Sequence, residues 1–170
     1  MQRRGRGKLP AVSHIPSVQT PRRGRNEESE KRKKHIVSIL TDRLGQLCRN
    51  QARRLDWYSS KDDSIDVFIT DSKAHYGQRP WFDMREKDLK VLANHPAGFV
   101  IFVLGDQECY LVVPAKDLLA QLPHHKEGLL ETGFYHFNLV LGGKAFEQLP
   151  AWDLHQYLGK IELIPHLSLH

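Results

Sequence analysis

Residues 64–113, SIDVFITDSKAHYGQRPWFDMREKDLKVLANHPAGFVIFVLGDQECYLVV, decide the fold. Ser64–Thr70 alternates, with Ile65, Val67 and Ile69 on one side and Asp66, Phe68 and Thr70 on the other, which is the period of a strand. Pro80–Met84 is a second short extended run carrying Trp81, Phe82 and Asp83. Glu86–Asn94 changes to helical spacing, with Leu89, Leu92 and Ala93 on one face and Asn94-His95-Pro96 as its stop. Gly98–Leu104 follows its glycine with six consecutive apolar residues, too few for a helix and the pattern of a strand buried on both faces. A turn at Gly105-Asp106-Gln107-Glu108 leads into a further apolar strand, Cys109–Val113. The order predicts an α/β domain whose mixed central sheet is built around Phe99–Leu104 and flanked by helices.

Upstream, Asn26 or Ser29 caps a helix whose first turn holds Glu27, Glu28 and Glu30, the sign a helix N-terminus favours. Ile36, Val37, Leu40, Leu44, Leu47, Cys48 and Ala52 extend its apolar stripe to about residue 53. Lys31, Arg32, Lys34, Arg43, Arg49 and Arg53 make a basic opposite face, most simply a solvated one. Arg54–Ser60 reads as a strand and Lys61-Asp62-Asp63 as a turn. Downstream, Pro114 opens a short helix over Ala115–Leu122. Phe134–Leu141 is a strand, and Pro150 starts a last helix with Trp152, Leu154, Tyr157 and Leu158 on its apolar face. Ile161–Ile164 adds an edge segment. The expected division is a basic disordered tail over 1–28, one domain over 29–164, and a frayed end over 165–170.

The chain of 170 residues is 40% hydrophobic, enough for one domain with a substantial core. No apolar run approaches the roughly 20 residues a bilayer requires, which argues against a membrane partner. No apolar segment follows the basic N-terminus as in a secretory signal, so a cytoplasmic location is expected. Cys48 and Cys109 read as buried thiols in a reducing compartment. The net charge of +5 is unevenly spread: residues 1–34 hold 11 of the 25 Lys+Arg and 3 of the 20 Asp+Glu. The rest of the chain is mildly acidic. Arg3, Arg4, Arg6, Arg22, Arg23 and Arg25, set among glycines and prolines, suit the backbone of a nucleic acid, DNA or RNA. The plain alternative is a solubilising extension.

Helix, strand, strand, strand, helix, strand, with an acidic residue in the second strand and an acidic-x-basic triplet in the third, resembles the PD-(D/E)XK nuclease-like superfamily over roughly residues 30–113. The residues that carry the resemblance are Asp66 and, after sixteen intervening residues, Asp83-Met84-Arg85. It implies a restriction-endonuclease-like core in which Asp66 and Asp83 hold Mg²⁺ and Arg85 or Lys87 contacts the scissile phosphate. The chemistry needs such a site, because phosphodiester hydrolysis builds negative charge that a hard cation on oxygen ligands stabilises. Two departures stand out: no proline precedes Asp66, and Arg85 occupies the lysine position. Arginine clamps a phosphate but does not act as a base. A second registration, Asp71-Ser72-Lys73 with Asp56 as the earlier carboxylate, has the correct triplet but falls at a strand end, and ranks second.

Each residue also has a plainer reading: Asp66 on a solvated strand face, and Asp83 capping the helix that follows, with Glu86 three residues on. Lys73, Arg79 and Trp81 flank the His75-Tyr76-Gly77-Gln78 loop and are candidates for nucleic-acid contact, with Trp81 or Phe82 stacking on bases and the other in the core. The ten histidines form no zinc signature, and no nucleophile elbow, phosphate loop or dinucleotide fingerprint is present. The expectation is a nucleic-acid-associated protein with a nuclease-like core, a Mg²⁺-dependent phosphodiesterase or a degenerate DNA-binding relative. A non-catalytic protein-interaction domain with a basic tail is the alternative.

Overall fold

A computed structural model describes residues 22–50, 56–72, 80–105, 109–122, 133–140 and 144–165. The elements run α1 (Arg22–Leu44), β1 (Leu47–Arg49), β2 (Trp57–Ser60), β3 (Asp66–Asp71), β4 (Trp81–Arg85), α2 (Glu86–Asn94), β5 (Gly98–Val103), β6 (Tyr110–Pro114), α3 (Ala115–Gln121) and β7 (Phe134–Asn138). Five strands form a mixed sheet in the order β1-β2-β3-β5-β6. β1, β2 and β3 are an antiparallel meander, β5 lies parallel to β3, and β6 returns antiparallel to β5. The fold is therefore α/β with a mixed central sheet, as the apolar patterns predict. Every residue of β3 and β5 is buried, which is why β5 reads as an unbroken apolar run.

β4 is the main departure. It was expected beside the Ser64–Thr70 strand, but it pairs with β7 in a separate two-stranded sheet. Phe82 and Met84 turn inward from it, while Trp81, Asp83 and Arg85 alternate to its outer face. Two cores result. One lies under α1 and contains Ile36, Leu40 and Leu44 against Ile65, Val67, Ile69 and Ile101. The other joins α2, α3, β4 and β7 to the opposite sheet face around Phe82, Phe102, Phe137 and Phe146. Each fully buried Leu or Phe contributes about 2 kcal/mol.

Several boundaries differ from expectation for local reasons. α1 begins at Arg22, inside the expected tail, and stops at Leu44, because Gly45 takes a φ of +73° that ends the helix in the left-handed region. The residues after it form β1, and Cys48 is exposed there while Cys109 is half-buried; neither is a core thiol. The expected helix after Pro150 is a series of turns with two short 3-10 segments, His155–Tyr157 and Ile161–Leu163, although Trp152, Leu154 and Tyr157 are buried. Arg43 holds this segment to α1 by donating to the carbonyls of Ile164 at 2.8 Å and Glu162 at 3.2 Å.

α2 spans the predicted residues and buries Leu89, Leu92 and Ala93. Its exit demands Gly98, where a Cβ would stand 1.9 Å from the Leu92 carbonyl oxygen. His95 fastens the same corner. Its Nδ1 accepts from the Ala97 N–H at 3.2 Å, which leaves Nε2–H to donate to the Asp63 carbonyl at 2.9 Å. At the outer side of β6, Leu111 bridges Leu158 and the Gly159 N–H donates to the Tyr110 carbonyl. No helix among the described residues is long and apolar enough to cross a membrane.

Candidate functional site

The carboxylates named from the sequence fall into three places. Asp66 is buried at the start of β3, on the face opposite α1, where its Oδ1 accepts the Ser59 hydroxyl at 2.6 Å. It is not on a solvated face. Asp83 lies in the second sheet, directly across from His136, whose Nδ1 it meets. The buried side chains of Phe82 and Met84 separate the outer face that carries Asp83 from the five-stranded sheet that carries Asp66. These two carboxylates do not open into a common hollow, and as a pair they do not fit a shared Mg²⁺. The capping reading for Asp83 is also not what forms, since Arg85 is the N-cap residue of α2 and makes no side-chain cap bond.

The other members of that expected site spread out. Arg85 stacks its guanidinium 5.2 Å from the centre of the Phe134 ring, and Lys87 is exposed on α2. Trp81 sits on the outer face of β4 with its ring centre 5.9 Å from that of His136, while Phe82 is the core member of the pair. Arg22, Arg23 and Arg25 lie at the start of α1. Arg3, Arg4, Arg6, Lys73 and Arg79 lie outside the described residues.

Asp56 and Asp71 come together instead. The Ile69 N–H donates to the Asp56 carbonyl at 2.9 Å, so Asp56 stands opposite Ile69, and Asp71 is the next residue but one on the same face of β3. Both carboxylates project toward α1, at the end of the sheet where β3 finishes. Consecutive residues of α1 receive them. Arg32 grips Asp71 with two parallel bonds, Nε to Oδ1 at 3.0 Å and Nη2 to Oδ2 at 2.7 Å. Lys33 Nζ donates to Asp56 Oδ1 at 2.9 Å. The Asp71 side chain is only 5% exposed and that of Asp56 31%, so the first pair is largely shielded and the second borders solvent.

Tyr58 stands on the same face two residues after Asp56. Burial pushes its phenol above the ordinary 10.0; Arg49 opposes the shift, and the negative charges of Asp56 and Glu30 add to it. Its hydroxyl stays protonated at neutral pH and is a donor. Among the described residues no group of three or more His, Cys, Asp or Glu side chains could hold a metal by itself. The two carboxylates share a face, and each is held by a cation of α1.

The sequence carries a signal that Arg32 and Lys33 face the sheet and not solvent. They precede Ile36 by three and four residues and so extend the sheet-facing stripe Ile36, Leu40, Leu44 by one turn. The site is the ionic end of a mixed-sheet α/β domain. No family model matches the chain, and neither does any curated protein or solved structure.

Proposed function

We propose that this is a nucleic-acid-associated protein with a nuclease-like core, in which phosphodiester hydrolysis is centred on Asp56 and Asp71 rather than on Asp66 and Asp83. One observation carries the proposal: Asp56 and Asp71 share a sheet face at the end of β3, beside two cations of α1. The order of elements supports it. β1 adds a strand before β2, so within the five-stranded sheet the helix, three strands, helix and strand of the nuclease-like pattern read α1, β1-β2-β3, α2 and β5, with β4 of the second sheet intervening before α2. Counted this way, Asp56 borders the second strand and Asp71 ends the third, and the sequence Asp71-Ser72-Lys73 is an acidic-x-basic triplet with lysine in the basic position.

Mg²⁺ bound there would neutralise charge that develops on the phosphate. The residues of the chain supply the rest: Asp71 and Asp56 provide hard oxygen ligands, and Arg32 and Lys33 provide positive charge within reach of an incoming phosphate. In the sequence, Lys73 stands where the Asp83 registration has Arg85. Arg3, Arg4 and Arg6 raise the local concentration of nucleic acid without reading its sequence.

The test is cleavage of plasmid DNA and of RNA by purified full-length protein. Mg²⁺-dependent cleavage lost in Asp71→Asn and kept in Asp83→Asn is the expected result. Cleavage that survives Asp71→Asn, or no cleavage of either substrate, removes the proposal. Binding that weakens steeply with salt, and less steeply when Arg3, Arg4 and Arg6 become Gln, supports the nucleic-acid association, whereas salt-insensitive behaviour favours a protein-interaction domain.

A further inference from the structure

The β4–β7 pair turns one face to the core and the other outward. Phe82, Met84 and Phe137 are fully buried on the inner face, which fixes the backbone of both strands. The outward residues are Trp81, Asp83 and Arg85 of β4 and Phe134, His136 and Asn138 of β7, and all six are partly exposed. The outward face of such a sheet is ordinarily polar. This one carries two aromatic rings, an imidazole and a guanidinium, the flat π-groups on which nucleobases stack. They lie close together: the Trp81 and His136 ring centres are 5.9 Å apart, and the Arg85 guanidinium stands 5.2 Å from the centre of the Phe134 ring. The charges on the face differ in their partners. Asp83 meets the His136 imidazole directly across the strands. Arg85 has no carboxylate partner among the described residues, and its Nε makes no hydrogen bond. The unopposed charge on this face is therefore a cation.

We propose that the outer face of the β4–β7 pair is a stacking platform for single-stranded nucleic acid. Bases stack on Trp81 and Phe134, because every base has a π-face whatever its sequence. Arg85, set against Phe134 on a strand anchored by its buried neighbours, donates to a backbone phosphate. Trp81 and Arg85 are four residues apart on an extended strand, about 13 Å, so more than one nucleotide lies along the face. The His136 imidazole covers the Asp83 charge that would otherwise repel the phosphates. A duplex keeps its bases stacked on one another and has no free π-face to offer. The platform rests on the nucleic-acid association proposed above, and needs neither Mg²⁺ nor the Asp56–Asp71 corner.

The experiment is fluorescence-anisotropy titration of the full chain, without divalent cation, into short labelled oligo-uridine and oligo-thymidine strands and into a DNA duplex of the same length. Trp81→Ala and Phe134→Ala are each expected to weaken single-strand binding about tenfold and to leave duplex binding within about twofold. Trp81→Phe keeps a ring, and the fold if Trp81→Ala does not, and is expected to lose less than Trp81→Ala. Arg85→Gln is expected to weaken single-strand binding and to flatten the slope of log affinity against log salt by about 0.7, the share of one phosphate contact. Single-strand affinity that is unchanged in the Trp81 and Phe134 variants overturns the inference. So does an equal loss for single strand and duplex. Binding lost only when Arg3, Arg4 and Arg6 become Gln, and kept in the Trp81 and Arg85 variants, removes the platform and leaves the association. No binding of any of the three nucleic acids removes both.

Discussion

The two faces of the five-stranded sheet are held by different means. Against one face lie α2, α3 and the β4–β7 pair, around an aromatic centre in which the Phe102 ring lies 5.0 Å from Phe82, 5.2 Å from Phe146 and 5.9 Å from Phe137. Against the other lies α1, joined by Ile164 of the C-terminal turns; the helix is apolar through Ile36, Leu40 and Leu44 and ionic beyond them at Arg32 and Lys33. The first face is closed by dispersion and burial, which have no switch. The second ends in charges that a competing ion can redistribute. Chemistry is therefore expected at the α1 end, and rigidity from the aromatic side.

The comparison can be broken by substitution. The largest loss is expected for Phe102→Ala, about 4 kcal/mol in urea unfolding, because three neighbouring rings cannot collapse into the vacated space. Gly98→Ala comes next, at about 3 kcal/mol, since the new methyl meets the Leu92 backbone rather than a movable side chain. Asp71→Asn is expected to cost about 2 kcal/mol by weakening the shielded charge pair with Arg32. If it costs more than Phe102→Ala, the contrast between the faces is reversed. Asp62 gives a smaller effect with a defined sign. Hydrogen bonds from the Ser60 and Ser64 hydroxyls and from the Ser64 N–H lower its carboxyl from 3.8 to about 2. Its contribution to the turn is complete above pH 3.8 and is lost as pH falls through 2, so an acid titration of Asp62→Asn should lack that component. Smallest of all is Glu28→Gln, whose exposed pair with Lys31 is expected to change stability by less than about 0.5 kcal/mol.

The aromatic side was the more legible in the sequence. α2 matches its predicted span, and the long apolar run marked β5 because only a strand covered on both faces needs no polar residue. The second sheet was less so. β4 has a two-faced pattern that would suit either sheet, and its partner β7 lies some fifty residues away, a pairing no local period encodes. On the α1 side, Leu47 and Cys48 continue the helical spacing of Leu40 and Leu44, which hid β1 inside the helix; Gly45 was the break. Asp71-Ser72-Lys73 ranks second in the sequence because it falls at a strand end, and Asp71 is the last residue of β3. The meeting of Asp56 and Asp71 at one end of the sheet is thus foreshadowed in the sequence only by the second of two registrations.

The margins of the sheet bear on self-association. Along β6 the Leu158–Gly159 segment already occupies hydrogen-bonding groups, through the Leu111–Leu158 bridge and the bond from Gly159 to Tyr110. Recruitment of a foreign strand there would require that segment to peel away. The opposite margin is β1, only three residues long and ending in the charged Arg49. A brief, charged border makes a poor template for edge-to-edge polymerisation.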